Sequence, residues 1–117
     1  MTVTHLGVIA KASGANVLLG LYRNSGGVPT TLVVGTPPTA LVAGRLEMPV
    51  TNTRITAGTY WLMAMYDTDA SVGVDTSVAN APAMYAFRDF SEGLPATVSG
   101  ASSMFGQRYN YFLRGIP

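Results

Sequence analysis

Short runs of alternating apolar residues, separated by glycine and proline, constrain this chain more than any other feature. Thirteen glycines and seven prolines punctuate these runs, as expected for turns between strands. No stretch keeps apolar residues at positions i, i+3, i+4 and i+7 over three turns, so no long helix is predicted. The sequence predicts an all-β chain, and its 117 residues fit one domain spanning 1–117.

The alternation assigns faces to the predicted strands, because successive side chains of a strand point to opposite sides. Even positions from Thr4 to Ala10 share one face of the first run, and Pro49 places a later run at a sheet edge. The run 59–67 is bulky on both faces, which predicts a central strand. About eight such runs indicate a two-sheet antiparallel β-sandwich of jelly-roll type. We expect its core to contain Leu6, Val8, Val17, Leu19, Leu21, Val33, Leu46, Tyr60, Leu62 and Leu113.

Charge is scarce and is carried mostly by arginine. Only 11% of the residues are charged, against about 25% in ordinary soluble domains, and six of the seven bases are Arg. Arginine is enriched and lysine depleted at protein interfaces, because a guanidinium loses its water more cheaply than an ammonium. We therefore expect either that other subunits cover much of the surface or that the domain belongs to a larger chain.

The two-faced run 59–67 points to the same conclusion. A sandwich buries one face of a strand in its own core, and the other face, with Trp61, Met63 and Met65, must meet solvent, a loop or a partner. A homo-oligomer such as a trimer would cover it, and the stretch 93–106 of the same chain is the alternative. Net charge +1 with scattered bases predicts no nucleic-acid binding. No apolar run approaches a membrane span, and the first residues lack signal-peptide features.

Catalytic chemistry has few candidate residues. The chain has no cysteine and one histidine, and it contains no nucleophile elbow, phosphate-binding glycine loop or His-rich metal motif. His5 fits a half-exposed strand residue better than a general base. The sequence therefore predicts a protein that is not an enzyme and that needs no cofactor.

Two groups of residues remain as candidate binding sites. Asp67, Asp69 and Asp75 follow the run 59–67 and could supply oxygen ligands to calcium, although aspartates that cap turns are the commoner explanation. Trp61, Tyr66 and Tyr85 could form an aromatic platform for a ligand such as a glycan, although sandwich cores and interfaces use the same residue types.

Three segments resemble a β-sandwich module of bacterial secreted or surface proteins and phage virion proteins. They are 17–29 (VLLGLYRNSGGVP), 43–44 (AG) and 55–62 (ITAGTYWL), within a likeness that covers residues 3–75. The resemblance implies a binding or structural part of a larger assembly. We expect a virion component, decorating a capsid or forming part of a tail or fibre, in contact with other virion proteins. The alternative is a carbohydrate-binding module of a secreted or surface protein.

Overall fold

The described part of the chain folds mostly into strands. The computed structural model describes residues 1–68, 74–75, 83–85, 89–98, 102–104, 108–109 and 111–117. A 3-10 turn at Phe90–Glu92 is the helical element of these residues. The strands are β1 (Thr2–Ala10), β2 (Asn16–Ser25), β3 (Val28–Gly35), β4 (Thr39–Ala40), β5 (Gly44–Arg54), β6 (Tyr60–Tyr66), β7 (Val74–Asp75), β8 (Ala83–Tyr85), β9 (Ser102–Met104), β10 (Arg108–Tyr109) and β11 (Tyr111–Ile116).

The first sheet has the order β11-β1-β5 and is antiparallel throughout. Its central strand is β1, where Leu6 pairs with Leu113 on one side and with Met48 on the other. Pro49 lies on β5, the last strand in this order, as the sequence predicts. An edge tolerates proline because the missing N–H leaves no gap between two strands.

A β-bulge changes the predicted inward face of β1. The pairing register shifts between Val3 and His5 against both neighbouring strands. Val3 is therefore fully buried along with Leu6, whereas Thr4, which strict alternation places on the core face, is only partly buried. An inserted residue reverses the alternation locally, and apolar spacing alone does not reveal it.

The second sheet is built around β2. Strand β6 pairs with β2 along Val17–Arg23, and β3 and β4 follow one another along the other side of β2. Between β3 and β4, buried Thr36 donates its backbone N–H to the carbonyl of Leu19 (2.9 Å) and accepts the Leu19 N–H at its hydroxyl (3.1 Å).

Among the described residues, strand β6 does not occupy the central position that the sequence predicts. In the described part of the chain it pairs only with β2, and β2 is the central strand. Bulky residues on both faces indicate that the faces of a strand are covered. They say nothing of how many hydrogen-bonded neighbours it has.

The two sheets enclose one hydrophobic core, which confirms the predicted two-sheet antiparallel sandwich. All ten expected core residues lie in it, five of them fully buried (Leu6, Val8, Val17, Leu19, Leu21) and five partly buried against these. Val3, Ala10, Ala15, Leu41 and Met48 complete the buried cluster. The hydroxyls of Tyr66 on β6 and Tyr111 on β11 lie 2.9 Å apart and connect the two sheets.

Candidate interaction surfaces

The outer face of the second sheet carries a row of large apolar side chains. On β6, Tyr60, Leu62, Ala64 and Tyr66 pack against the core. Alternation turns Trp61, Met63 and Met65 to the opposite side, where each is partly buried. We call these three residues the outer row.

A segment from the distal part of the chain covers the neighbouring region of this face. We call residues 93–98 the strap. Its backbone joins β3, since the Leu32 N–H donates to the Ala96 carbonyl and the Val98 N–H to the Thr30 carbonyl, both at 2.9 Å. The Tyr22 hydroxyl donates to the Pro95 carbonyl at 2.6 Å.

Two glycines make room for the strap. A Cβ built on Gly35 would lie 2.5 Å from Cδ1 of Leu94, and one on Gly20 would lie 3.2 Å from the same atom. Leu94 therefore sits directly over the backbone of β2 and β3. The described end of the stretch 93–106 thus covers the part of the outer face beside β3, while the outer row on β6 stays partly exposed.

The predicted aromatic platform does not come together as one surface. Trp61 lies in the outer row, with its indole N–H donated to Oδ1 of Asn24 at 2.9 Å. Tyr66 points to the inner side of the same strand, where it meets Tyr111. Their spacing of five residues places them on opposite faces. Tyr85 lies in β8, and its side chain is outside the described residues.

Asp67, the first calcium candidate, is held by a residue of the neighbouring strand. Its Oδ1 accepts the backbone N–H of Asn16 and its Oδ2 accepts the Asn16 side-chain amide, both at 2.7 Å. The backbone hydrogen bond, followed by the side-chain one, lowers the pKa of the Asp67 carboxyl. This arrangement joins the start of β2 to the end of β6.

The other two calcium candidates are not described at side-chain level. Asp69 lies outside the described residues, and only the backbone of Asp75, in β7, is described. Within the part of the chain that the structure describes, no three His, Asp or Glu side chains converge as metal ligands.

A second surface, on the outer face of the first sheet, was not predicted from the sequence. It brings together His5 on β1, Arg45 and Glu47 on β5, and Phe112 and Arg114 on β11; we call it the arginine surface. Glu47 contacts Nη2 of Arg45 through Oε1 at 3.0 Å and Nη2 of Arg114 through Oε2 at 3.2 Å. The hydrogen bond from Arg45, with smaller Coulombic contributions from Arg114 and other charges, lowers the pKa of the Glu47 carboxyl.

Stacking and pairing hold the rest of this surface in place. A Cβ on Gly7 would lie 2.1 Å from Cζ of Phe112, so the ring lies directly on the glycine. The Arg45 guanidinium covers the ring at 4.0 Å from its centroid, within cation–π range. Nη2 of Arg114 lies 3.2 and 3.3 Å from the two ring nitrogens of His5.

Strand register explains why sequence reasoning missed the arginine surface. Arg45 and Glu47, like Phe112 and Arg114, are two apart and therefore share a face of their strand. The alternation of side chains indicates which residues of one strand share a face. It does not show that β5 and β11 pair with the same stretch of β1, because that pairing joins segments distant in sequence. His5 is partly buried, in keeping with a strand residue.

No protein-family model matches the chain, and no curated protein or solved structure matches it either. The resemblance to a β-sandwich module therefore stays a prediction. None of the described segments forms a helix long and apolar enough to span a bilayer.

Proposed function

We propose that this protein is a non-catalytic structural or adhesive component of a larger assembly, and that the assembly is a phage virion. There it decorates the capsid or forms part of the tail or a fibre, as a homo-oligomer in contact with other virion proteins. The observation that carries the proposal is the outer row, Trp61, Met63 and Met65, on the side of β6 away from the core.

The outer row is costly to leave in water. Full burial of a large apolar side chain contributes about 1.5–3 kcal/mol, and monomeric proteins rarely expose large contiguous apolar patches. The strap covers the β3 side of this face but leaves the row partly exposed. Aromatic residues, Met and Arg are also the types enriched at protein interfaces, in keeping with the low charge of the chain.

The contacts of two described carboxylates, Glu47 and Asp67, are in keeping with a structural role. A catalytic proton donor acting near neutral pH needs a raised pKa. Glu47 and Asp67 have lowered pKa values, because Arg45 and Asn16 respectively hold them in the charged form. Neither carboxylate has the raised pKa of such a proton donor, and the contacts of each connect two different strands.

Fractionation of the particles made by cells that carry the gene tests the proposal. Density-gradient fractions are probed with an antibody to the chain, and positive fractions are imaged with immunogold. We expect the protein to sediment with virions in a fixed copy number and to label one structural feature. Recovery only in the particle-free fraction would contradict the proposal.

A carbohydrate-binding module is the second candidate, and the fixed Trp61 ring favours it. The Asn24 amide oxygen holds the indole N–H, so the ring has a defined orientation, as a sugar platform requires. Glycan-array binding by a monodisperse monomer would favour this candidate if Trp61→Ala abolished binding without unfolding the protein. Tyr66→Phe, altered only on the inner face, is the matched control and should bind normally.

A further inference from the structure

We propose that the arginine surface docks an acidic side chain of a neighbouring protein. The inference rests on the proposed function, since it assigns a partner chemistry to one face of a chain that works in an assembly. The outer row lies on the other sheet, so the two surfaces can engage different neighbours.

The two guanidiniums are already oriented before any partner arrives. One carboxylate, Glu47, holds both, and Arg45 is also stacked on Phe112, which lies on Gly7. The side chains of Arg45 and Arg114 are nevertheless 58% and 52% exposed. Binding to a pre-oriented side chain costs less conformational entropy than ordering a free one.

The charges and hydrogen-bond donors of Arg45 and Arg114 are sufficient to bind a second anion in addition to Glu47. Two guanidiniums against one carboxylate leave one excess positive charge at the centre of the surface. Glu47 is contacted through one nitrogen of each guanidinium, whereas a guanidinium carries five N–H donors in a planar fork that fits a carboxylate. An incoming carboxylate can therefore bind across the outer edges of both groups.

The surroundings favour a protein over the other sources of an anion. The Phe112 ring lies between Gly7 and Arg45, so its faces are not open for a sugar to stack on. The described bases form no extended stripe of the kind that follows a nucleic-acid backbone. Ile9, paired with Arg45 across the strands and 37% exposed, offers an apolar contact beside the charge. The expected partner segment thus carries Asp or Glu next to an apolar residue.

Selection from an unbiased library of displayed linear peptides on the full-length protein tests this inference. We expect the enriched peptides to share Asp or Glu beside an apolar residue. A synthetic peptide from that set should bind about tenfold more weakly, a difference of about 1.4 kcal/mol, to the double variant Arg45→Gln/Arg114→Gln. The Gln analogue of the peptide should lose the same factor on the wild-type protein.

Arg54→Gln is the matched control, because Arg54 is an exposed base on β5 outside the arginine surface. It should bind the peptide as the wild type does. Exposed ion pairs contribute little to stability, so the double variant should keep the wild-type circular dichroism and melting curve. A fold-preserving loss of binding then reports on the surface itself.

Several results would overturn the inference. The selection could enrich peptides without acidic residues or enrich no peptide at all. The peptide could bind the double variant as tightly as it binds the wild type. An acidic monosaccharide such as N-acetylneuraminic acid could compete for the surface as well as the free peptide does. Self-association of the wild type that the double variant abolishes would assign the surface to a second copy instead. If the protein sediments with virions but selects no acidic peptide, this inference fails and the proposed function stands.

Discussion

At the scale of single residues, Gly7 and Gly115 of the first sheet each lie against a neighbouring group. The two neighbouring groups differ in how freely they can move away. A Cβ on Gly115 would lie 2.2 Å from the backbone carbonyl oxygen of Thr2, whereas one on Gly7 would meet the far end of the Phe112 side chain. Phe112 can rotate away, but the backbone of β1 cannot. Gly115 pairs with Val3 next to the bulge, which explains the close approach.

Gly115→Ala should therefore destabilise the protein by about 2 kcal/mol, within the range for forced overpacking. Gly7→Ala is the matched control. There the free-energy cost of displacing the Phe112 ring should be partly offset, because replacing a glycine within a strand stabilises the fold by about 0.5–1 kcal/mol. Urea unfolding monitored by Trp61 fluorescence gives both values. If both variants lost the same free energy of unfolding, Gly115 would not be packed against the backbone of β1 as described.

Asp67 predicts a pH dependence of stability. Its pKa in the folded protein is lowered from the ordinary value of 3.8, so the unfolded state binds a proton more readily. The stabilisation is fully present above pH 3.8 and is lost as pH falls through the lower folded value. Asp67→Asn should remove this part of the acid sensitivity while weakening the junction with Asn16.

Melting temperatures measured between pH 6 and pH 2.5 test this expectation. The difference in melting temperature between wild type and Asp67→Asn should shrink as the pH falls below 3.8. Asp89→Asn is the control, because Asp89 is exposed and makes no side-chain capping hydrogen bond. A difference that stays constant down to pH 2.5 would contradict the assigned role of Asp67.

The candidate residues were predicted only in part, because strand alternation specifies a face and leaves the partner open. Alternation is enough to separate Trp61 from Tyr66. It does not show that Asn16 occupies both oxygens of Asp67, since the two residues are brought together by the pairing of β2 with β6. The arginine surface depends in the same way on three strands distant in sequence.

At the scale of structural elements, the strap is the described segment whose docking is most easily tested. Leu94→Ala removes the side chain that lies over Gly20 and Gly35. Because Leu94 is only partly buried, we expect the lower end of the Leu→Ala range, about 2 kcal/mol. The loss should be local, since the strap joins the sandwich at its β3 edge.

Amide hydrogen exchange distinguishes local opening from global destabilisation. In Leu94→Ala the amides of Leu32 and Val98, which donate between β3 and the strap, should exchange faster relative to wild type than the Leu41 amide. Leu41 donates to Ala15 elsewhere in the fold and serves as the internal control. A uniform increase at all three amides would mean that the strap does not open as a separate unit.

The sequence predicts the positions of the strands better than it predicts which strands pair with each other. Alternation predicts the runs on β1, β5 and β6, and among the described residues β5 lies at the end of its sheet, as Pro49 predicts. Within the described residues, β6 pairs with β2 alone and does not take the central position expected for it, because apolar residues on both faces of a strand do not determine its hydrogen-bonded neighbours. The segment before the short β4 is bonded to β2 through Thr36 and Leu19, a tertiary contact without a periodic signal.

At the scale of the whole molecule, the sandwich presents two outward surfaces of different chemistry. The outer row on the second sheet is apolar and aromatic, whereas the arginine surface on the first sheet is charged and already ordered by Glu47. Opposed surfaces of this kind suit a subunit that meets copies of itself on one side and another protein on the other. We propose that the outer row is the surface through which copies of the chain associate.

Multi-angle light scattering across a concentration series tests whether copies of the chain associate through the outer row. The wild type should have a mass that is a multiple of the 12.3 kDa chain at micromolar concentration and physiological salt. Met63→Glu, which places a charge in the outer row, should return the mass toward 12.3 kDa. Ile9→Glu on the opposite sheet should leave it unchanged. A wild-type mass near 12.3 kDa throughout the series would contradict the claim.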